Sequence, residues 1–262
     1  MEKLLLYKDA SSNKFWKINV SGKSFTVTYG KVSSVGSMKV KEFESNERCE
    51  KEAMKLIHAK LKKGYEITEN EAEVIKESTM TEELFWELID MSKKKSEYPE
   101  EQVEWLSTYL SRKPVREIIE FDFILQTYHH NSYSSHLWAA AYIIMGGCSD
   151  DSFDYFRAWL IAQGKDVFEA AIEDPETLIP TLKFIEEDDV PELEDLLSVA
   201  ADAYEEKTGK DFDEYAELYH QIKEGPYGFQ NIEFDWDDDD DEGLKNKFPK
   251  LWGLYGEEPL GY

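Results

Sequence analysis

Four residues early in the chain, Tyr29, Lys31, Lys39 and Lys41, set an aromatic face among ammonium groups at short spacing. That combination suits a nucleic-acid backbone, because lysines neutralise phosphates and a ring stacks on a base or sugar. The same residues would also make a solvated sheet face whose lysines blunt edge pairing. Base-specific readout is not expected, since this face lacks the Arg, Asn and Gln pairs that read base edges. A second set, Asp150, Asp151, Asp154 and Arg157, falls at the start of a helical pattern. Asp150 shares a face with Asp154, and Asp154 with Arg157. Such carboxylates could hold a divalent cation or do acid–base work. Acids in a first turn also complement the helix dipole, with Arg157 as ion-pair partner, and this structural role is the favoured expectation.

His129, His130 and His136 lie just upstream in a Tyr/Asn/Ser-rich stretch. With an aspartate they could ligate a metal, but their spacing fits neither HExxH nor a zinc-finger pattern, so none is expected. His136, Asp150, Asp151, Asp154 and Arg157 are the candidate site of this region. Gly146-Gly147 reads as a helix stop, because no GKS or GKT follows to make a phosphate loop, and no cofactor is expected. Cys148 precedes a helix start, a position that lowers a thiol pKa, but no base accompanies it and a packing role is expected. Cys49 and Cys148 lie far apart without CxxC company. That excludes a disulfide scaffold or cysteine-built zinc site and makes a reducing cytoplasm the default compartment.

These residues need elements to position them. Leu4–Tyr7 is a short apolar run; Phe15–Val20, Phe25–Tyr29 and Met38–Phe43 alternate with period two, and Ser21-Gly22-Lys23 is a turn. They predict an antiparallel meander. Ser45 or Asn46 caps a helix whose apolar stripe is Ala53, Leu56, Ile57 and Leu61, with Gly64 as its stop. Thr68–Met80 is polar and acidic and reads as a linker. From Thr81 to about Gly225 the pattern is helical, with Pro99 and Pro114 at helix starts. Leu137–Met145 is apolar on nearly all sides, which predicts a central buried helix, and Phe153, Phe156 and Leu160 form the inward side of the next. The run Asp237–Asp241 reads as solvated and mobile. The apolar patch after it, around Phe248, Leu251 and Trp252, is expected to dock on the helical body.

The net charge of −26 over 262 residues is unevenly spread: residues 1–66 carry +6 and residues 67–262 carry −32. A basic start implies an anionic partner, while the field of the rest repels phosphate. Hydrophobic residues make up 41%, enough for a packed core, so whole-chain disorder is excluded. No run of about 18 apolar residues is present, so no membrane span is expected, and the start lacks the apolar stretch of a signal peptide.

The first ~67 residues resemble a WGR domain, the module of DNA-damage-activated poly(ADP-ribose) polymerases and of bacterial proteins described as molybdate-metabolism regulators. The likeness is carried by Trp16 and its strand, Thr28-Tyr29-Gly30-Lys31-Val32, Val35-Gly36, Phe43, the helix through Ala53 and Lys60, and Gly64-Tyr65. Here Tyr29 replaces the signature Trp and Lys31 the Arg. In the polymerases that aromatic stacks against a DNA end and the arginine helps couple neighbouring domains, so the resemblance implies stacking by Tyr29. Lys31 keeps the charge but loses the planar fork. Residues ~80–260 resemble the bacterial helical family called domain of unknown function 4240. That likeness rests on Phe85-Trp86-Glu87-Leu88-Ile89, Leu137-Trp138-Ala139-Ala140-Ala141-Tyr142 and Gly146–Phe153 with its continuation to Gly164. It brings no established activity.

The expected fold is α+β: a small antiparallel WGR-like sheet with one packed helix (1–67), a linker (68–80), an all-α helical domain (81–225) and an acidic C-terminal extension (226–262). The leading function is non-enzymatic, with DNA or RNA bound by the N-terminal module and a protein partner by the acidic helical domain. One alternative is an immunity-type protein that masks a basic partner, its WGR-like part mediating only domain contacts. A metal-dependent enzyme is the third.

Overall fold

The computed structural model describes residues 1–9, 11–68, 74–75, 79–185, 189–223 and 232–261. The chain opens with β1 (Glu2–Lys8), β2 (Asn13–Ser21), β3 (Ser24–Lys31) and β4 (Ser37–Glu42), followed by helix α1 (Asn46–Leu61) and a short β5 (Glu66–Thr68). The sheet runs β4-β3-β2-β1-β5, antiparallel at every described pair. This is the expected meander, extended by β5 on the far side of β1.

Both faces of the sheet are covered. On one, Leu5, Trp16, Ile18, Val20, Phe25 and Val27 pack with Cys49, Ala53 and Ile57 of α1. The Ser45 hydroxyl caps that helix by accepting the Arg48 N–H. The buried stripe is thus Cys49, Ala53 and Ile57, whereas Leu56 and Leu61 are exposed, contrary to the expected stripe. A helix laid on a narrow twisted sheet buries one residue per turn, and its flanking leucines overhang the edges. On the other face, Leu4 and Phe15 pack with Val74 and Ile75. Ser33 N–H donates to the Val74 carbonyl at 2.8 Å, and Ser34 bridges to Ile75. Within the stretch expected as a linker, therefore, an apolar pair is used as a second layer.

Helices follow as α2 (Glu82–Lys95), α3 (Pro99–Ser111), α4 (Val115–Asn131), α5 (Ser135–Met145), α6 (Asp150–Ala162), α7 (Lys165–Glu173), α8 (Ile179–Leu182), α9 (Val199–Thr208), α10 (Phe212–Ile222), α11 (Asp241–Lys247) and α12 (Pro249–Tyr255). Among the described residues no helix is long and apolar enough to cross a membrane. Contacts divide the chain into two compact units. The first holds Met1–Thr81, Leu110–Glu120 and Tyr204–Gly225; the second holds Glu82–Tyr109, Phe121–Ala203 and Pro226–Tyr262. Within the first, Thr26 hydroxyl donates to Gln221 Oε1 at 3.0 Å and Lys223 pairs with Glu120 at 2.5 Å.

Within the second unit α5 is buried on nearly every side, as its sequence requires, and ends where Gly146 takes φ +65°. Ser149 caps α6, whose Phe153, Phe156 and Leu160 are fully buried. The C-terminal patch docks on α5. Phe248 lies 4.7 Å from the His136 ring, and Leu260 N–H donates to the Ile144 carbonyl at 2.9 Å. The acidic run before the patch is more ordered than its composition predicts. Trp236 Nε1 donates to the Ser135 carbonyl at 3.0 Å, Asp235 binds Ser135 and Lys247, and Asp240 caps α11.

Candidate functional site

The helix-covered face of the sheet opens beyond α1 into a cleft of about 400 Å³. Register explains its lining. Trp16 pairs across with Tyr29, Val27 with Lys39 and Phe25 with Lys41, so these six residues share one face. Alternation alone would have turned Met38 and Val40 of β4 toward the core. Instead the register places lysines at the edge of the apolar face. The floor is Trp16, Phe25 and Val27; Tyr29, Lys39, Lys41 and Lys60 stand around it. Tyr29 is 36% exposed, so its ring face is available while its base is held by the sheet.

Three of the four residues singled out from sequence therefore line one cleft. Lys31 does not; it sits one face-pair further along β3, across from Lys14, where like charges meet. Lys60 was missed. Its place in the last turn of α1 reads as a dipole partner, but its Nζ lies 5.5 Å from the Trp16 ring centroid and 4.8 Å from that of Tyr65. Burial, with Lys63 and Lys14 nearby, pushes its pKa down, so an incoming anion relieves a cation that is already poorly solvated. Glu52 also lines the cleft, and Lys55, its ion-pair partner, holds its pKa below the ordinary range.

In the second unit Arg157 is 3% exposed. It pairs with Asp154, donates to the His129 carbonyl at 2.5 Å, and stacks 4.9 Å from both the Tyr133 and Phe153 ring centroids. His129 Nε2 in turn lies 3.0 Å from the Asp154 carbonyl. This is a cross-brace between α4 and α6. His136 packs instead on Phe248. Asp150 and Asp151 are first-turn acids of α6, and Asp150 is exposed at its start. Among the described residues, the three-ligand group that could surround a cation is the exposed Asp237, Asp238 and Asp239; His136, Asp150, Asp151 and Asp154 form none. Cys148 behaves opposite to a thiol activated by a helix start: burial pushes its pKa up to about 12. Cys49 is fully buried, and its pKa is also raised.

The cross-brace has a pH consequence. Burial first, then the Arg157 guanidinium, lower the His129 pKa from 6.5 to about 4. Below pH ~6.5 the unfolded chain binds a proton that the folded imidazole refuses. Stability from this group is thus complete above about 6.5 and lost as pH falls toward 4. Discounted for partial exposure, the loss is on the order of 1–2 kcal/mol. Urea unfolding of the parent and of His129→Gln across that window checks it. Parallel curves for the two proteins would remove the assignment.

Residues 1–72 match the WGR domain family and residues 80–206 match the family described as protein of unknown function, DUF4240. The chain is similar to the Escherichia coli (strain K12) uncharacterized protein YfeS, 54% identical over 66 residues, covering 25% of this chain and 27% of that one. It is also similar to YehF of the same organism, 35% identical over 60 residues, covering 23% and 22%. The chain thus spans about a quarter of the length of these curated relatives. A crystal structure of a Bacteroides fragilis protein matches 37% of this chain and 27% of that chain at 33% identity, with a TM-score of 0.27.

Proposed function

From a chain that joins a WGR domain to a DUF4240 domain, we propose that the WGR part binds the backbone of DNA or RNA without reading sequence, and that the helical part recognises a protein. In this reading residues 1–67 carry the nucleic-acid face, 68–80 connect, 81–225 recognise the partner and 226–262 are an acidic extension. WGR domains of known families bind nucleic acid. The observation that supports the reading here is the cleft in which Tyr29 stands among Lys39, Lys41 and Lys60 over an apolar floor. Lysines release counterions from phosphates, and a half-exposed ring takes a base or sugar face. The opposing field of the acidic residues makes the affinity modest and strongly salt-dependent.

The test uses the full chain, because residues 1–67 alone would uncover Leu4 and Phe15 where Val74 and Ile75 now pack. Fluorescence anisotropy with labelled single-stranded DNA, single-stranded RNA and blunt duplex DNA, at low and physiological salt, measures binding. Tyr29→Ala is expected to cost ~1–3 kcal/mol of binding. The double variant Lys39→Ser/Lys41→Ser is expected to flatten the salt slope by up to about two ions. Absence of binding to all three probes at low salt would overturn the nucleic-acid reading.

A further inference from the structure

The helical unit also has a cleft of about 570 Å³, within the usual size range of ligand pockets. Its apolar wall is formed by Tyr98, Trp159, Phe184 and Val190. Phe184 is 89% exposed, Tyr98 54% and Val190 37%. Single exposed apolar residues are ordinary, but three gathered around one concavity mark an interaction site. The rim carries Glu97, Glu100, Asp189 and Glu192. Among the described residues none of these carboxylates is in an ion pair. Lys93, the cation of the lining, is committed to Gln163: its Nζ donates to the carbonyl at 3.1 Å and to Oε1 at 2.8 Å.

We infer that this cleft takes a short basic segment of a partner protein, one large apolar side chain seated against Phe184, Tyr98 and Trp159 and flanking Lys or Arg side chains on the carboxylate rim. The inference rests on the reading that the helical part recognises a protein, and it names the chemistry of that recognition. Charge complementarity selects the occupant. With four carboxylates against the single lysine of the lining, the negative rim repels phosphate and acidic peptides and attracts ammonium or guanidinium groups. The exposed rings supply the anchor that charge alone lacks, since buried aromatic contacts carry most of the energy of such interfaces.

The experiment measures fluorescence anisotropy of the full chain with three labelled peptides of equal length: alternating Lys–Leu, alternating Lys–Ser and alternating Glu–Leu. Lys–Leu should bind, Lys–Ser should bind at least about tenfold more weakly, and Glu–Leu should not bind. Phe184→Ser, which removes a ring standing in solvent, should weaken Lys–Leu about tenfold or more while leaving the unfolding midpoint in place. Glu100→Gln/Asp189→Asn should weaken it and reduce its salt dependence. Equal binding of Lys–Leu and Lys–Ser, or indifference to Phe184→Ser, places basic peptides elsewhere on the acidic surface. The cleft assignment then falls while protein recognition stands. If no basic peptide binds, the cleft assignment falls as well, since its occupant was to be basic.

Discussion

Arg157→Met is expected to destabilise the folded chain by about 3 kcal/mol in urea unfolding, the lower end of what breaking a buried ion pair costs. The lower end applies because the Asp154 side chain is 46% exposed and keeps part of its hydration when orphaned. Most of the loss comes from the other contacts of the guanidinium. The His129 carbonyl loses a donor at 2.5 Å, the Phe153 carbonyl one at 3.3 Å, and two aromatic faces lose their cation. Arg157→Lys restores little, since one ammonium cannot reach both carbonyls and the carboxylate as a planar fork does. Asp154→Asn costs less than about 1 kcal/mol, because it removes the half-solvated member. An Arg157→Met midpoint equal to that of the parent would show that the brace is idle. The catalytic reading of Asp154 and Arg157 predicts the opposite: loss of a function with stability kept.

Gly36→Ala is expected to destabilise the sheet unit by ~2–4 kcal/mol, from two separable causes. Gly36 holds φ +81°, a conformation that costs an L-residue ~1–2 kcal/mol. A Cβ there would also lie 2.6 Å from Phe15 Cζ and 3.2 Å from the Tyr29 carbonyl. Phe15 is 1% exposed and clamped by Leu4, Val74 and Ile75, so it has nowhere to retreat, and such overpacking adds ~1–3 kcal/mol. Gly22→Ala separates the causes. Gly22 has φ +57° with nothing within 4 Å of a built Cβ, so it carries the backbone cost alone. The Gly36 variant should exceed the Gly22 variant by at least about 1 kcal/mol in urea unfolding. Equal losses would mean that Phe15 yields. Because the Gly36 contact reaches the Tyr29 backbone, the substitution should also weaken nucleic-acid binding beyond its effect on folding.

Much of the architecture is legible in local chemistry. The period-two runs become strands, Ser45, one of the two residues expected to cap α1, does so, and the all-apolar Leu137–Met145 segment becomes the buried helix. Such features depend on neighbours within about one turn. What escapes depends on distant partners. The facing of Lys39 and Lys41 is fixed by pairing with Val27 and Phe25, and β4 read alone suggests the reverse. Gln221 meets Thr26 across 195 positions, a contact that no periodicity encodes. Lys60 joins the cleft only because the helix is laid over Trp16 and Tyr65. In the helical candidate site the i,i+3 pair Asp154–Arg157 is visible in the sequence, whereas its long-range link to His129 is not. Trp236, surrounded by aspartates, looks solvated until Tyr142 and Ser135 are placed beneath it.

The two cysteines give the molecule a built-in stopwatch for each unit. Cys49 belongs to the sheet unit and is wholly enclosed, while Cys148 belongs to the helical unit, with its pKa raised to about 12. Only a thiolate attacks a disulfide reagent, so the burial that raises both thiol pKa values slows their capture at neutral pH while their surroundings are closed, Cys49 being buried and Cys148 partly so. When a unit opens, its thiol regains ordinary acidity and is captured. Disulfide-exchange rates resolved by mass spectrometry at the two positions thus report how often each unit loosens, separately and without added probes. A ligand seated on the lysine cleft should slow the Cys49 clock, and a peptide held in the carboxylate-rimmed cleft the Cys148 one.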